Sequence, residues 1–305
     1  MYTAARTIKL VVVLGPTATG KSDLAVFLAK KFNGEVVSVD SRQIYRGLDI
    51  GSGKITKREM HNIPHHMLDV WSPKRTVSVA RYKVLAQKKI EQVAQRHTLP
   101  ILCGGSGFYI DAIINNIVLP PVPPNAKLRK KLSKKSPEKL FEELMTLDPV
   151  RARNIDKKNP RRLIRALEIA NTQGNMSRIT IEPKKYNVLM VGLTLPKETL
   201  ADKIKARLHK RLKIGMIKEV VNLHQQGVSW KRLESLGLEY RYLAEYLQKK
   251  ISRNEMQQQL ETAIRQFAKR QMTWFKRNAR IRWFTPKQRT EISKIVKEFL
   301  ATSSA

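Results

Sequence analysis

The sequence predicts an α/β fold: a parallel sheet flanked by helices, with a helical insertion. Three observations carry that expectation. A Val-rich run, Ile8–Leu14, leads into "GPTATGKS" and then into apolar residues at helical spacing from Lys21. Apolar runs and amphipathic stretches alternate after it. A proline-rich break, "VLPPVPPN" (Val118–Asn125), then opens a long basic segment of helical pattern. Alternation of this kind places helices on both faces of a sheet.

The elements follow in order. "IKLVVVL" is a short continuous apolar run, the pattern of a parallel strand buried on both faces. Gly15, Pro16, Thr17, Ala18, Thr19, Gly20, Lys21 and Ser22 then fit G-x-x-x-x-G-K-[ST]. In strand–loop–helix context this is a phosphate loop, so the sheet is expected to be P-loop NTPase-like. Its backbone N–H groups and the following helix N-terminus can hold two linked phosphates. Lys21 adds a point charge, and the Ser22 hydroxyl is placed for Mg²⁺. Such loops usually hold ATP or GTP.

"EVVSVD" (Glu35–Asp40) reads as a second strand ending in a carboxylate. "SVARYKVLAQKKIEQVAQRH" reads as a long amphipathic helix, and "LPILCGGSGF" as a third buried strand ending in a glycine turn. From Ala126 to about Lys185 the pattern is helical and basic, as in "KLRKKLSKKSPEKL" and "NPRRLIRALEIA". "YNVLMVGLTL" is a further strand, and helices dominate from Glu198 onward. One long basic helix is expected near residues 251–281, with Ser252 and Glu255 as its capping box. "IRWFT" reads as an edge strand, and the Ser/Ala end as frayed. The core is therefore expected in residues 1–120 and 186–305, with the insertion at 121–185.

Composition narrows the partners. The chain has 305 residues and 42% hydrophobic content, enough for one large domain or two smaller ones. Lys and Arg number 59 against 25 Asp and Glu, a net charge of +34. That excess favours a polyanion partner, nucleic acid first, over a merely solvated basic surface. The single cysteine, Cys103, excludes an internal disulfide or a four-Cys zinc site, and its apolar setting marks a buried inert thiol. No secretory signal and no membrane-spanning stretch is visible, so the protein is expected in the cytoplasm.

Phosphate-loop NTPases usually carry an acidic residue at the end of a further buried strand, but "LCGGSGFY" has none. The available carboxylate is Asp40. It can assist Mg²⁺, accept a proton from a nucleophile, or cap the next turn. His61, His65 and His66 are poorly placed to share one ion, so packing or hydrogen bonding is the better reading. "RQFAKRQMTWFKRN" mixes basic residues with Phe267, Trp274 and Phe275. Helical spacing assigns these aromatics to the core and the charges to RNA or DNA.

Taken together, the motifs resemble the tRNA dimethylallyltransferase (tRNA isopentenyltransferase) family. The resemblance rests on "GPTATGKS", "VVSVDSRQIYRGLDIGSGK", "IPHHMLDVWSP", "CGGSGFYI", "NPRRLIRALEI", "LTLPKETL" and "RQFAKRQMTWFKR". These run in family order over nearly the whole chain. "DSRQIYRGLDIG" and "AKRQMTWF" are the specific ones.

The resemblance implies transfer of a dimethylallyl group from dimethylallyl diphosphate to N6 of the adenosine just 3′ of the anticodon. Residues 15–22 would then grip the donor's diphosphate, with Mg²⁺ as cofactor. Asp40 matches the family's general base, and Arg207 an arginine that approaches the diphosphate from the far side. Thr17 and Thr19 match hydroxyls near the diphosphate, so Asp40, Lys21, Thr19 and Arg207 form the expected catalytic set. Asp40, Ser41, Arg42, Gln43 and Ser106 match positions at the target adenosine and nearby RNA. Arg161, Arg162, Leu163, Ile164 and Arg165 match an RNA-contacting segment of the insertion.

The implied partner is the tRNA anticodon arm, and a monomer is expected. Departures from the family pattern are "GSGKIT" (which keeps Lys54), Phe108, Asp111, His209, "NTQGNMSR" and Glu239-Tyr240. One cysteine cannot build the zinc finger of eukaryotic relatives, so the resemblance is to the bacterial type.

Overall fold

Ile8–Leu14 forms strand β1, and its last five residues are buried. The side chains alternate between two cores. Leu10, Val12 and Leu14 join the larger apolar cluster, while Val11 and Val13 join a second one. A strand covered on both faces needs no polar alternation, which is why this run is continuously apolar. Truncating Leu10 to Ala should cost about 2–5 kcal/mol through the cavity left behind.

The computed structural model describes residues 7–173, 183 and 185–302. The Ser/Ala end and most of "NTQGNMSR" lie outside them. The chain divides into two compact units, Met1–Asn116 with Pro183–Ala305, and Ile117–Glu182.

In the first unit, β1 is followed by α1 (Lys21–Lys31), β2 (Gly34–Val39), α2 (Lys57–Met60) and β3 (His65–His66). Next come α3 (Val79–Gln95), β4 (Leu99–Gly104) and α4 (Gly107–Ile114). The second unit holds α5 (Ala126–Leu132), α6 (Pro137–Leu147), α7 (Pro149–Asn154) and α8 (Pro160–Gln173). The first unit resumes with β5 (Tyr186–Leu193), α9 (Lys197–Lys213), α10 (Met216–Gln225), α11 (Trp230–Ser235) and α12 (Leu238–Leu247). It closes with α13 (Arg253–Phe275), β6 (Ile281–Phe284) and α14 (Arg289–Ala301).

The six strands lie in the order β3-β2-β4-β1-β5-β6, and every pairing is parallel. Helices α1 and α14 cover one face through Leu24, Leu28, Ile292 and Val296. Helices α3, α4, α9, α10, α12 and α13 cover the other. Phosphate loop and Asp40 both leave carboxyl ends of strands in this sheet, where open α/β sheets bind ligands.

The capping box of α13 is present, with Ser252 and Glu255 exchanging bonds. The predicted edge strand is β6, paired in parallel to β5. The short strand β3 at His65–His66 was not legible, because two histidines carry no strand pattern. Among the described residues no helix is long and apolar enough to cross a membrane.

The second unit has its own core of Leu132, Leu140, Leu144, Ala152, Leu163, Ala166 and Leu167. Glu168 is buried beside it and is satisfied by Arg129, Arg165 and the Asn125 N–H. A buried carboxylate needs such pairing to stay charged.

Candidate active site

The phosphate loop is held in shape by its own side chains and by three distant elements. Gly15 has φ of +141°, and a Cβ there would lie 2.4 Å from the Leu193 carbonyl oxygen, so only glycine fits against β5. The Thr19 hydroxyl donates to the Pro16 carbonyl at 2.9 Å, and Lys21 Nζ donates to the same oxygen at 2.6 Å. The Thr17 N–H donates to Gln271 Oε1 at 2.9 Å, while Gln271 Nε2 donates to the Gly105 carbonyl at 2.8 Å. Arg207 Nη1 donates to the Thr17 hydroxyl at 3.3 Å.

Burial pulls the Lys21 ammonium down to about 8; the Arg207 charge pushes the same way, and Asp40 opposes it. Arg207 is also pulled below its usual range, by burial first and by Arg211 second. Both cations are in a setting that an anion would relieve.

Asp40 follows β2 directly. Its Oδ1 accepts from the backbone N–H of Arg42 at 2.7 Å and of Gln43 at 3.3 Å. The turn-capping role is therefore real, and it falls on one oxygen; Oδ2 is bonded to neither amide. The Ser41 N–H lies 3.4 Å from Ser106 Oγ, which brings the β2 and β4 strand ends together. Gln43 is fixed on both sides, accepting from Ser38 Oγ at 3.1 Å and donating to the Gly53 carbonyl at 3.3 Å. Arg42 packs along Gly237. Tyr82 is buried beneath this end and donates to the Ser38 carbonyl at 2.7 Å.

A loop at residues 49–54 completes the site. The N–H groups of Asp49, Ile50 and Gly51 all donate to the Glu219 carboxylate, at 3.0, 2.6 and 3.0 Å. The Tyr240 hydroxyl donates to it as well, at 2.8 Å. Lys54 is tied to Asp49, Asp69 and the Tyr45 carbonyl. From α9, Arg207 Nη2 reaches the Gly53 carbonyl and Arg211 Nη1 the Gly51 carbonyl, each at 3.3 Å. Arg211 is also 3.5 Å from Glu239.

Several sequence expectations are corrected here. Thr19 has no exposed surface, and its hydroxyl is spent on Pro16, so it shapes the loop from within. Leu163 is fully buried in the core of the second unit and has no surface to offer RNA, and Ile164 packs against the same core. Arg165 is engaged by Glu168 and the Val122 carbonyl. Arg161 and Arg162 are exposed, with Arg162 3.8 Å from Asp156. Of the three aromatics assigned to the core, Phe275 is buried, but Phe267 is 39% exposed. Trp274 is partly buried and donates Nε1–H to Asp111 Oδ2 at 2.8 Å, which gives the unusual Asp111 a partner.

His65, His66 and His209 act as hydrogen-bonding residues, whereas His61 is exposed. His66 Nε2 meets Glu35, and His65 Nδ1 meets the Ile63 carbonyl. His209 Nε2 meets Gln257. Cys103 is buried in β4, and burial pushes its thiol up to about 12. Ser22 is exposed on the first turn of α1. Among the described residues no group of three or more His, Cys, Asp or Glu can hold a metal ion. A hard cation such as Mg²⁺ would be carried mostly by ligand oxygens and water, and the exposed Ser22 hydroxyl would be the oxygen this chain offers it.

Gln271, Arg211, Glu219 and Glu239 were missed as site residues. Gln271 carried a readable signal: it falls on the apolar stripe of α13 with Met256, Leu260, Ile264, Ala268 and Phe275. A lone amide on such a stripe must find buried partners. Glu219 gave none, because its partners are backbone amides of a distant loop.

Residues 43–278 match the family described as IPP transferase. The chain is 45% identical over 277 residues to tRNA dimethylallyltransferase 2 of Treponema denticola, covering 88% of this chain and 91% of that protein. It is 38% identical over 297 residues to the tRNA dimethylallyltransferase of Anoxybacillus flavithermus, covering 96% and 95%. The crystal structure of the tRNA isopentenylpyrophosphate transferase of Bacillus halodurans superposes with a TM-score of 0.73 at 35% identity, covering 96% of both chains. A eukaryotic dimethylallyltransferase acting on tRNA shares the fold, with a TM-score of 0.79 at 24% identity over 97% of this chain and 80% of that one.

Proposed function

The chain belongs to the IPP transferase family, and from that premise we propose that it is a tRNA dimethylallyltransferase. It moves a dimethylallyl group from dimethylallyl diphosphate to N6 of the adenosine 3′-adjacent to the anticodon, and it releases diphosphate. One observation carries the reading: the turn capped by a strand-end carboxylate, Asp40, is tied to the phosphate loop. Gln43 of that turn donates to the Gly53 carbonyl, and Arg207 donates to both that carbonyl and the Thr17 hydroxyl.

The chemistry follows from that arrangement. The N6 lone pair attacks the allylic carbon, the C–O bond breaks, and the diphosphate leaves with the bonding pair. Negative charge grows on the leaving oxygen, where loop N–H groups, Lys21 and Arg207 oppose it. The amine's proton passes to Asp40, whose Oδ1 is anchored by two backbone amides while Oδ2 is bonded to neither. Bound Mg²⁺ would neutralise diphosphate oxygens, with Ser22 the residue to hold it. The acceptor base must leave its stack to reach the site. The basic surface of the chain, at net +34, supplies the attraction for the anticodon arm.

Phosphoryl transfer from a nucleotide is the poorer reading. Strand β4 ends in Gly104 and is followed by Gly105, with no carboxylate to hold Mg²⁺ against a γ-phosphate.

The test is direct. Purified protein is incubated with Mg²⁺, dimethylallyl diphosphate and unmodified tRNA, and the digested tRNA is analysed by mass spectrometry. Prenylated adenosine is expected. Product from AMP but none from tRNA would overturn the proposal.

A further inference from the structure

Arg207 and Arg211 lie one turn apart on α9 and so share a helix face. Their guanidinium groups converge on a single point. A Cβ placed on Gly53 would lie 2.2 Å from Arg207 Nη2 and 1.5 Å from Arg211 Nη2, so these two nitrogens are near neighbours. Two cations this close, with most of the Arg211 side chain removed from water, repel strongly unless a counter-charge sits between them. The protein supplies part of it, with Asp40, Glu59 and Glu219 acting on the pair from beyond ion-pair range. Glu239, at 3.5 Å from Arg211, is the one carboxylate in ion-pair range of either arginine among the described residues.

Their other partners are neutral and distant. Arg207 reaches the Thr17 hydroxyl and the Gly53 carbonyl, and Arg211 the Gly51 carbonyl, all at 3.3 Å. That is beyond the usual range for an N–H···O bond, and far from the short contacts of a charge-assisted one. Burial depresses both guanidinium groups, and Arg211 depresses Arg207 further. Arg207 at the same time touches the phosphate loop through Thr17. The pair thus has one carboxylate in ion-pair range, long contacts to neutral oxygens, and a joint to the phosphate loop.

We infer that Arg211 is a second guanidinium for the donor's diphosphate, acting beside Arg207 and positioned by Glu239. The inference rests on the proposed donor site. A diphosphate carries enough negative charge to satisfy both arginines and Lys21, and pairs of its non-bridging oxygens can each accept the two parallel N–H bonds of a guanidinium fork. Glu239 is then the residue that keeps Arg211 turned toward Gly51 and Gly53 when no anion is bound. The rival reading makes Arg211 a structural partner of Glu239 alone.

Isothermal titration of the full chain with inorganic diphosphate and Mg²⁺ separates the two. Arg211→Gln should raise the Kd for diphosphate about 10–100-fold, and the KM for dimethylallyl diphosphate with it, the loss expected for one charged bidentate contact. The affinity for tRNA should stay unchanged. Arg211→Lys, which keeps the charge and loses the fork, should fall between; it also serves if the Gln variant does not fold. Diphosphate affinity equal to wild type in a variant of unaltered melting temperature would overturn the inference. A wild-type chain that binds neither diphosphate nor the prenyl donor would overturn the donor site itself.

Discussion

The side chain of Gln271 accepts a hydrogen bond from the Thr17 N–H at 2.9 Å, tying the phosphate loop to the long helix α13. The same amide donates to Gly105, so one residue spans the loop and the end of β4. Gln271→Leu keeps the size and removes both bonds. Leaving the Thr17 N–H and the Gly105 carbonyl unpaired should cost about 1–3 kcal/mol each at most. The expected result is a lower melting temperature, together with a roughly tenfold rise in the KM for dimethylallyl diphosphate. A stable variant with unchanged donor KM would show that the loop holds its shape without this tie.

Asp40 caps a turn through Oδ1 and is the proposed base, and Asn separates the two roles. Asp40→Asn retains an oxygen for the Arg42 and Gln43 amides but cannot take a proton. If Asp40 is the base, Asn and Ala variants should both lose about 10²-fold or more in turnover, with tRNA affinity nearly intact. Single-turnover kinetics and filter binding provide the check. An Asn variant with wild-type turnover would reduce Asp40 to a turn cap.

Burial disfavours the Lys21 charge and pulls its ammonium down to about 8. A diphosphate binds the charged form. Affinity should therefore be insensitive to this group below about pH 8 and fall as pH rises through it. Calorimetry in buffers of different ionisation heat should show proton uptake rising from near zero at pH values well below 8 to near one well above it. Lys21→Arg keeps its charge throughout and should flatten the profile. An equal slope in that variant would assign the titration to another group.

The excess of basic residues predicts a tRNA affinity governed by counterion release. Between about 50 and 200 mM salt, affinity should fall by orders of magnitude, linearly on logarithmic axes. Exchanging both Arg161 and Arg162, exposed on α8, for Ala should reduce that slope by about one to two contacts. A slope unaffected by their loss would place the RNA elsewhere.

Much of the fold is written in local patterns. The Val-rich run of β1, the glycines of its loop and the Ser252–Glu255 capping box each state their structure within a few residues. The motif at 15–22 likewise locates its own loop, between β1 and α1. What is not legible is which oxygen or amide each polar group meets. Thr19 matches a ligand-facing hydroxyl by position, yet it bonds to Pro16 because the loop turns it inward. Leu163 sits among arginines in sequence, and the helical period carries it to the core. Arg207 and Arg211 look like two more charges on a basic helix. Only the distant loop at 49–53 gives them a common target.

The joint between Thr17 and Gln271 also has a consequence for biosynthesis. The phosphate loop leaves the ribosome among the first segments of the chain, and its partner on α13 among the last. Strand β5, against which Gly15 packs, also emerges late. A nascent chain therefore carries the whole motif long before it carries the partners that brace it. The full set of the loop's contacts with β5 and α13 can form only after translation has passed Gln271, so this end of the fold closes late.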